Sequence, residues 1–256
     1  MHYYLIHGID PIRKPFMENQ FELYGIEPEE VTWMNYPNKN DYLPPNICIH
    51  TGLTKGQIAC TYKHYLALKD IVEKDLEIAV IMEDNIQFVD NVPAAIKKYL
   101  QEVSHDWDII WDSNINAIHD FCSDSLFHCR DPIIYKYEIA TLDKNGFRTY
   151  NYDTQEYLDF KASGKLLYKK PQSMGANFYI VNERSAKLMY ENFLPFNNCS
   201  DHHYNDLIKK YNLNSYIVTY PNVDKLYRES TWKDEPITSS ALKSDVKPKK
   251  YIWNRK

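Results

Sequence analysis

Glycine is scarce in this chain, with seven residues in 256. So few leave little room for loops that cradle phosphate on glycine backbone, and no Walker loop is present. GxSxG and HExxH are missing too, which removes the common serine-hydrolase and zincin readings. The five cysteines, Cys48, Cys60, Cys122, Cys129 and Cys199, are odd in number and include no CxxC pair. That pattern argues against a disulfide framework and a zinc ribbon, and fits a reducing cytosol. Long hydrophobic runs are lacking as well. The longest aliphatic stretch, Ile78 to Met82, falls far short of the ~20 residues a bilayer span needs. The N-terminus MHYYLIHGID has no signal-peptide layout, so a soluble, unexported, cytoplasmic protein is predicted. Positive charge is not in excess: 30 Lys and Arg against 35 Asp and Glu leave a net charge of −5. Nucleic acid and anionic membrane therefore lack the field that would draw them.

What is abundant is tyrosine, 22 residues, within an aromatic content of 14%. Flat, hydrogen-bonding rings suit sugars and nucleobases. Base composition in an AT-rich genome enriches Tyr, Asn, Lys and Ile together and accounts for the same excess.

Hydrophobic patterning alternates strand and helix. HYYLIH (2–7) reads as a buried strand ended by Gly8 and Pro11, followed by a loop carrying Arg13 and Lys14. A helix over 15–24 and a strand over 31–36 follow. Thr54 with Gln57 three residues on is a capping box, opening a helix to about Glu73. LEIAVIM (76–82) lacks polar alternation, as a strand covered on both faces does, and ends abruptly in Glu83-Asp84-Asn85. Pro93 marks another helix start, and WDIIWDS (107–113) reads as the next strand. From about 115 to 172 the pattern degrades, and an insertion over the sheet's active edge is expected, with KNGF (144–147) as a hairpin turn. Regularity returns with a strand over 176–181, a helix over 183–193 capped by Asn182, a helix over 201–211 and a strand over 214–220. The alternation predicts one α/β domain over 1–228 with a mixed, mostly parallel sheet flanked by helices, and a polar tail over 229–256.

Three constellations carry chemistry. Glu83-Asp84-Asn85 sits where open α/β sheets bind ligands, and carboxylates there can hold a hard divalent cation against two phosphates; a solvated turn is the plain alternative. Asp201, opening a helix with His202 and His203, is either a favourable first-turn charge or a general base beside that edge. Adjacent histidines diverge by about 100°, so at most one of the two is a ligand. His64 reads as a packing histidine or a catalytic one, and Arg13 and Lys14 as a solvated turn or a diphosphate contact.

These residues carry a resemblance. TKGQIACTYKHYLALKDIVEKDLEIAVIMEDNIQF (54–88) resembles the central block of glycosyltransferase family 25, through Gly56, Gln57, Ile58, Cys60, His64, Glu83 and Asp84. MGANFYIVNERSAKLM (174–189), Ser200-Asp201 and YLIHGI with Arg13 resemble its later strand and helix, its Val-Asp element and its first strand and loop. The family spans lipopolysaccharide-type and collagen-type transferases, with relatives in giant viruses. The resemblance implies a GT-A-like (Rossmann-like) fold with an acceptor-side insertion. It also implies a UDP-sugar donor, a divalent cation (Mn2+ or Mg2+), and transfer of glucose or galactose with inversion to a hydroxyl of a glycan or glycoprotein. Within it, Asp201 is expected as the base. His7, Gly8, Arg13, His64 and Glu83 are expected at the donor, and Asp84, Asn85 and His202 at the metal. Departures are Asn85 for the last acid, Lys63 for the serine before His64, and Gln57 for a glutamate. A carbohydrate-binding protein on a transferase fold and a nucleotide-sugar hydrolase are the alternatives.

Overall fold

The computed structural model describes residues 1–49, 52–88, 91–103, 105–111, 140–142, 148–150, 167–169, 176–218 and 227–229. Strands β1 (His2–Ile6), β2 (Val31–Met34), β3 (Ile78–Glu83), β9 (Phe178–Asn182), β5 (Ile109–Trp111), β10 (Ser215–Val218) and β8 (Leu167–Lys169) form one sheet in the order β2-β1-β3-β9-β5-β10-β8. Numbering follows the chain, in which β4 (Ile86–Phe88), β6 (Ala140–Leu142), β7 (Arg148–Tyr150) and β11 (Tyr227–Glu229) lie outside that sheet.

β1 pairs parallel with β2 and β3, and β5 with β10. β9 runs against both its neighbours, β3 and β5, and β8 against β10. The sheet is thus mixed and mostly parallel in strand direction, as expected. An apolar run such as FYIV looks the same in either direction, because both kinds of central strand are buried on two faces; only the connections decide.

Side chains alternate across the sheet. Tyr4 and Ile6, Ala79 and Ile81, and Tyr179 and Val181 face a core built with α2 (Lys55–Glu73), α4 (Glu183–Phe193) and α5 (Ser200–Tyr211). Tyr3 and Leu5, Val80 and Met82, and Phe178 and Ile180 face a second core with α1 (Arg13–Tyr24) and α3 (Val92–Glu102). The result is three layers, helices on both faces of one sheet.

The helix ends follow their chemistry. Thr54 and Gln57 satisfy each other's backbone N–H groups at the start of α2, the reciprocal box expected there. Asn182 caps α4 and Asn91 caps α3. α1 stops at Gly25, whose φ of 79° is left-handed, the conformation that favours glycine there.

Several boundaries differ. α1 begins at Arg13 rather than 15, because Asp10 Oδ1 accepts the N–H groups of Ile12 and Arg13 and starts the turn early. β3 carries on to Glu83, whose N–H bonds the carbonyl of Asn177 at the start of β9. β4, three residues long and paired antiparallel with β11, was not anticipated. β8 falls inside the expected insertion yet forms an edge of the main sheet. β6 and β7 pair antiparallel on either side of 144–147, which itself lies outside the described residues, as do most of 115–172 and all of 230–256.

Candidate active site

β1 and β3 end side by side, and the chain leaves each strand into residues that meet again. Asp84, buried at 4% exposure, is the centre. Its N–H bonds the carbonyl of Ile6, fixing it against the end of β1. Its Oδ2 accepts from His7 Nδ1 at 2.8 Å and from the Gly8 N–H at 2.9 Å, and its Oδ1 accepts from the Arg13 guanidinium at 2.6 Å. Burial alone pushes the Asp84 carboxyl up, but the His7 hydrogen bond, the Arg13 charge and the Gly8 N–H together overcome it and hold the group below its ordinary value. His7 is wedged edge-on against Trp33 at 5.1 Å. Lys63, on α2, donates to the carbonyl of His7 and, at 3.2 Å, to Asn38 Oδ1. Its burial lowers its pKa, while the charges of Asp84 and Asp41 oppose that shift.

A second cluster adjoins the first. Glu83 Oε1 lies 3.4 Å from His64 Nε2 and accepts from the Cys60 thiol at 3.7 Å. His64 is fully buried, and its Nδ1 meets the Tyr179 hydroxyl at 2.8 Å, which meets that of Tyr204 at 2.5 Å. Burial pushes the Cys60 thiol up, and the charges of Glu83 and Asp201 push it further. Asp201 is therefore part of the same electrostatic neighbourhood, at the start of α5. Its Oδ1 accepts the Ala176 N–H at 3.0 Å, tying that helix end to the entry of β9.

The expected residues thus separate into groups. His7, Gly8, Arg13 and Asp84 form one hydrogen-bonded knot, and His64 and Glu83 share another with Cys60. His202 is half-buried on the first turn of α5. His203 faces the opposite way, into the core between Phe193 and Phe196, and donates from Nε2 to the Phe193 carbonyl at 2.8 Å. Burial lowers its pKa and keeps it neutral. Lys63, Tyr179 and Tyr204 were not foreseen as site residues. The signal for α2 was its spacing: positions 60, 63 and 64 are i, i+3 and i+4, and share one helix face above the strand ends.

A divalent cation held by Asp84, Asn85 and His202 fits these residues poorly. Three of the roughly four lone-pair directions on the Asp84 carboxylate are filled, one of them by a guanidinium that would repel the ion. Asn85 adds one neutral oxygen, buried and without a hydrogen-bond partner. A hard cation wants six or more oxygens. Among the described residues, the cluster of Cys, His and carboxylate donors that does converge is Cys60, His64 and Glu83.

The sequence profile described as glycosyltransferase family 25 (LPS biosynthesis protein) matches residues 9–208, which take in Arg13, Asp84, the Cys60–His64–Glu83 cluster and Asp201, with His7 and Gly8 just ahead of it. This chain belongs to glycosyltransferase family 25. Individual family members are similar over a shorter stretch. Inactive glycosyltransferase 25 family member 3 of Mus musculus is 32% identical over 65 residues, 24% of this chain and 11% of that protein. Procollagen galactosyltransferase 1-B of Xenopus laevis is 33% identical over 66 residues, and procollagen galactosyltransferase 2 of Homo sapiens 27% over 62, each 23% of this chain and 10% of theirs. The matches span about a tenth of the length of these relatives. Among solved structures, that of A197 from STIV aligns over 86% of this chain and 82% of its own at 9% identity, with a TM-score of 0.41, too slight a likeness to argue from. No helix among the described residues is long and apolar enough to cross a membrane.

Proposed function

We propose that this family 25 chain moves a hexosyl group, glucose or galactose, from a UDP-sugar to a hydroxyl of a glycan or glycosylated protein, with inversion at the anomeric carbon. The observation that carries this reading is the meeting of the Arg13–Asp84–His7 knot, Glu83 and Asp201 at one carboxyl edge of the sheet, where open α/β sheets take their ligands.

In this mechanism Asp84 is an anchor. It fixes Arg13, whose side chain keeps 28% of its surface, as a cation for the donor diphosphate, and the Lys63 ammonium adds positive potential from beneath. Both favour the departing UDP, on which charge grows in the transition state. Asp201 takes the proton of the acceptor hydroxyl as its oxygen attacks the anomeric carbon from the face opposite the departing phosphate. The new C–O bond forms as the bond to UDP breaks, which inverts that carbon. A divalent cation bound with the donor would supply further charge neutralisation; no step here depends on one.

The test has two parts. UDP-glucose or UDP-galactose should raise the melting temperature in proportion to affinity. Asp201→Asn should keep that shift while UDP release in the presence of acceptor falls by ~10²-fold or more. Equal loss of both would move Asp201 from the base position to the donor pocket. A second reading, sugar binding without turnover, draws on the relative named as inactive. It predicts the thermal shift with no UDP released, and UDP release without any acceptor would mark a hydrolase.

A further inference from the structure

Cys60 and His64 stand one helical turn apart on α2, and Glu83 closes the group from the end of β3. The Cys60 sulfur, a His64 ring nitrogen and a Glu83 oxygen all lie within 4.8 Å of one another. We propose that these three side chains form a binding site for a single borderline-soft cation of the Zn2+ class, with its fourth position open to the sheet edge.

The separations are those that a metal site asks for. Zinc bonds of ~2.05 Å to nitrogen, ~2.1 Å to oxygen and ~2.3 Å to sulfur, set at the tetrahedral angle, give donor–donor edges of about 3.4 Å for N···O and about 3.6 Å for S···O. The edges here are 3.4 Å from His64 Nε2 to Glu83 Oε1 and 3.7 Å from Cys60 Sγ to the same oxygen. A charge-assisted N–H···O hydrogen bond would instead draw the imidazole to about 2.7–2.9 Å. Both edges that meet at Glu83 Oε1 are thus one cation wide.

The surroundings prepare His64 as a ligand. Its ring is fully buried, stacked on Tyr179 at 27° and met edge-on by Tyr204 at 87°. The Tyr179 hydroxyl beside Nδ1 accommodates the tautomer in which Nδ1–H donates to it and Nε2 turns its lone pair toward Glu83. A partner fixing the far nitrogen is the usual support of a metal-bound imidazole.

The donor set selects the ion. One thiolate, one imidazole and one carboxylate suit Zn2+ and its spectroscopic stand-in Co2+, whereas Mg2+, Ca2+ and Mn2+ prefer all-oxygen sites. Binding exchanges the Cys60 S–H proton, released to water, for the metal–sulfur bond. Three protein ligands and a Glu83 side chain that keeps 18% of its surface leave the ion an open position, as sites that contact a substrate or water do. This site shares Glu83 with the transfer reading above but does not rest on it.

The test titrates the chelator-treated full chain with Co2+. We expect one ion per chain, a thiolate-to-cobalt charge-transfer band with the ligand-field bands of a four-coordinate ion, and displacement by one equivalent of Zn2+ but not by excess Mg2+ or Mn2+. Cys60→Ser should abolish the charge-transfer band and weaken Co2+ binding more than ~10-fold. Tyr179→Phe should keep the band and weaken binding ~10- to 100-fold, the range for a lost outer partner. Glu83→Gln, near the surface, tests the oxygen ligand without disturbing the core. A titration with no charge-transfer band, equal Co2+ affinity in the wild type and Cys60→Ser, or displacement by Mn2+ would overturn the proposal. UDP-sugar binding, measured separately, stands or falls on its own.

Discussion

At Asp84 a single carboxylate organises two chain segments about 75 positions apart in sequence, and its loss should be felt in both. Asp84→Asn keeps the volume but removes the charge that Arg13 Nη1 meets at 2.6 Å and turns an amide against the His7 donor. Breaking one side of a buried ion pair costs ~3–5 kcal/mol, so a large drop in chemical-denaturation midpoint is expected. The pH dependence has a defined sign. Because the folded carboxyl is held below its ordinary value of 3.8, its stabilisation is complete above that value and is lost as pH falls through the lower folded value. Melting temperature should therefore fall more steeply below pH 4 in the wild type than in Asp84→Asn. From sequence, the positions of His7 and Asp84 at strand ends were legible, since an apolar run that stops at charge or at glycine locates a strand's carboxyl end; that the two ends adjoin was not. The engagement of Asp84 was not. A carboxylate reads the same whether it faces a metal or a guanidinium, and only the fold brought Arg13 to it.

Among the elements, α2 contributes most to the site, since Cys60, Lys63 and His64 all ride on it. Its capping box is exposed and remote from those side chains, so Thr54→Ala isolates the helix end from the chemistry. About 1 kcal/mol of stability should be lost, read as a shift in denaturation midpoint, with UDP-sugar affinity unchanged. This box was visible as Thr54 and Gln57 at the right spacing, as were the long helices and the buried strands, because their periodicity runs over many residues. β4 escaped because three residues hold no period, and its partner β11 lies about 140 positions away. The direction of β9 escaped because burial, not orientation, writes its sequence. Lys63 was seen as a departure from the family pattern, but its reach to the His7 carbonyl depends on how α2 lies across β1, which no local signal records.

Over the whole molecule, β3 is one of the strands that both cores share. Ile81 faces the α2 side and Val80 the α1 side, both with no exposed surface. Ile81→Ala should cost ~2–5 kcal/mol by opening a cavity, and Val80→Ala somewhat less, both measurable by denaturant unfolding. The reversed strand β9 has a different bearing. Trp111 on β5 stands opposite Tyr179 on β9, so the chain that leaves the sheet at 111 is returned beside its point of departure. A detour between fixed neighbouring ends can change length cheaply, since each doubling adds only about 0.6 kcal/mol of closure entropy. Lengthening it with Gly-Ser repeats at 144–147 should accordingly lower the unfolding free energy by less than ~1 kcal/mol. In evolutionary terms the stretch from 112 to 177 is tethered at both ends and, through β8, at the far edge of the sheet, so length can be added between those fixed points while the strand end at Glu83 stays unchanged.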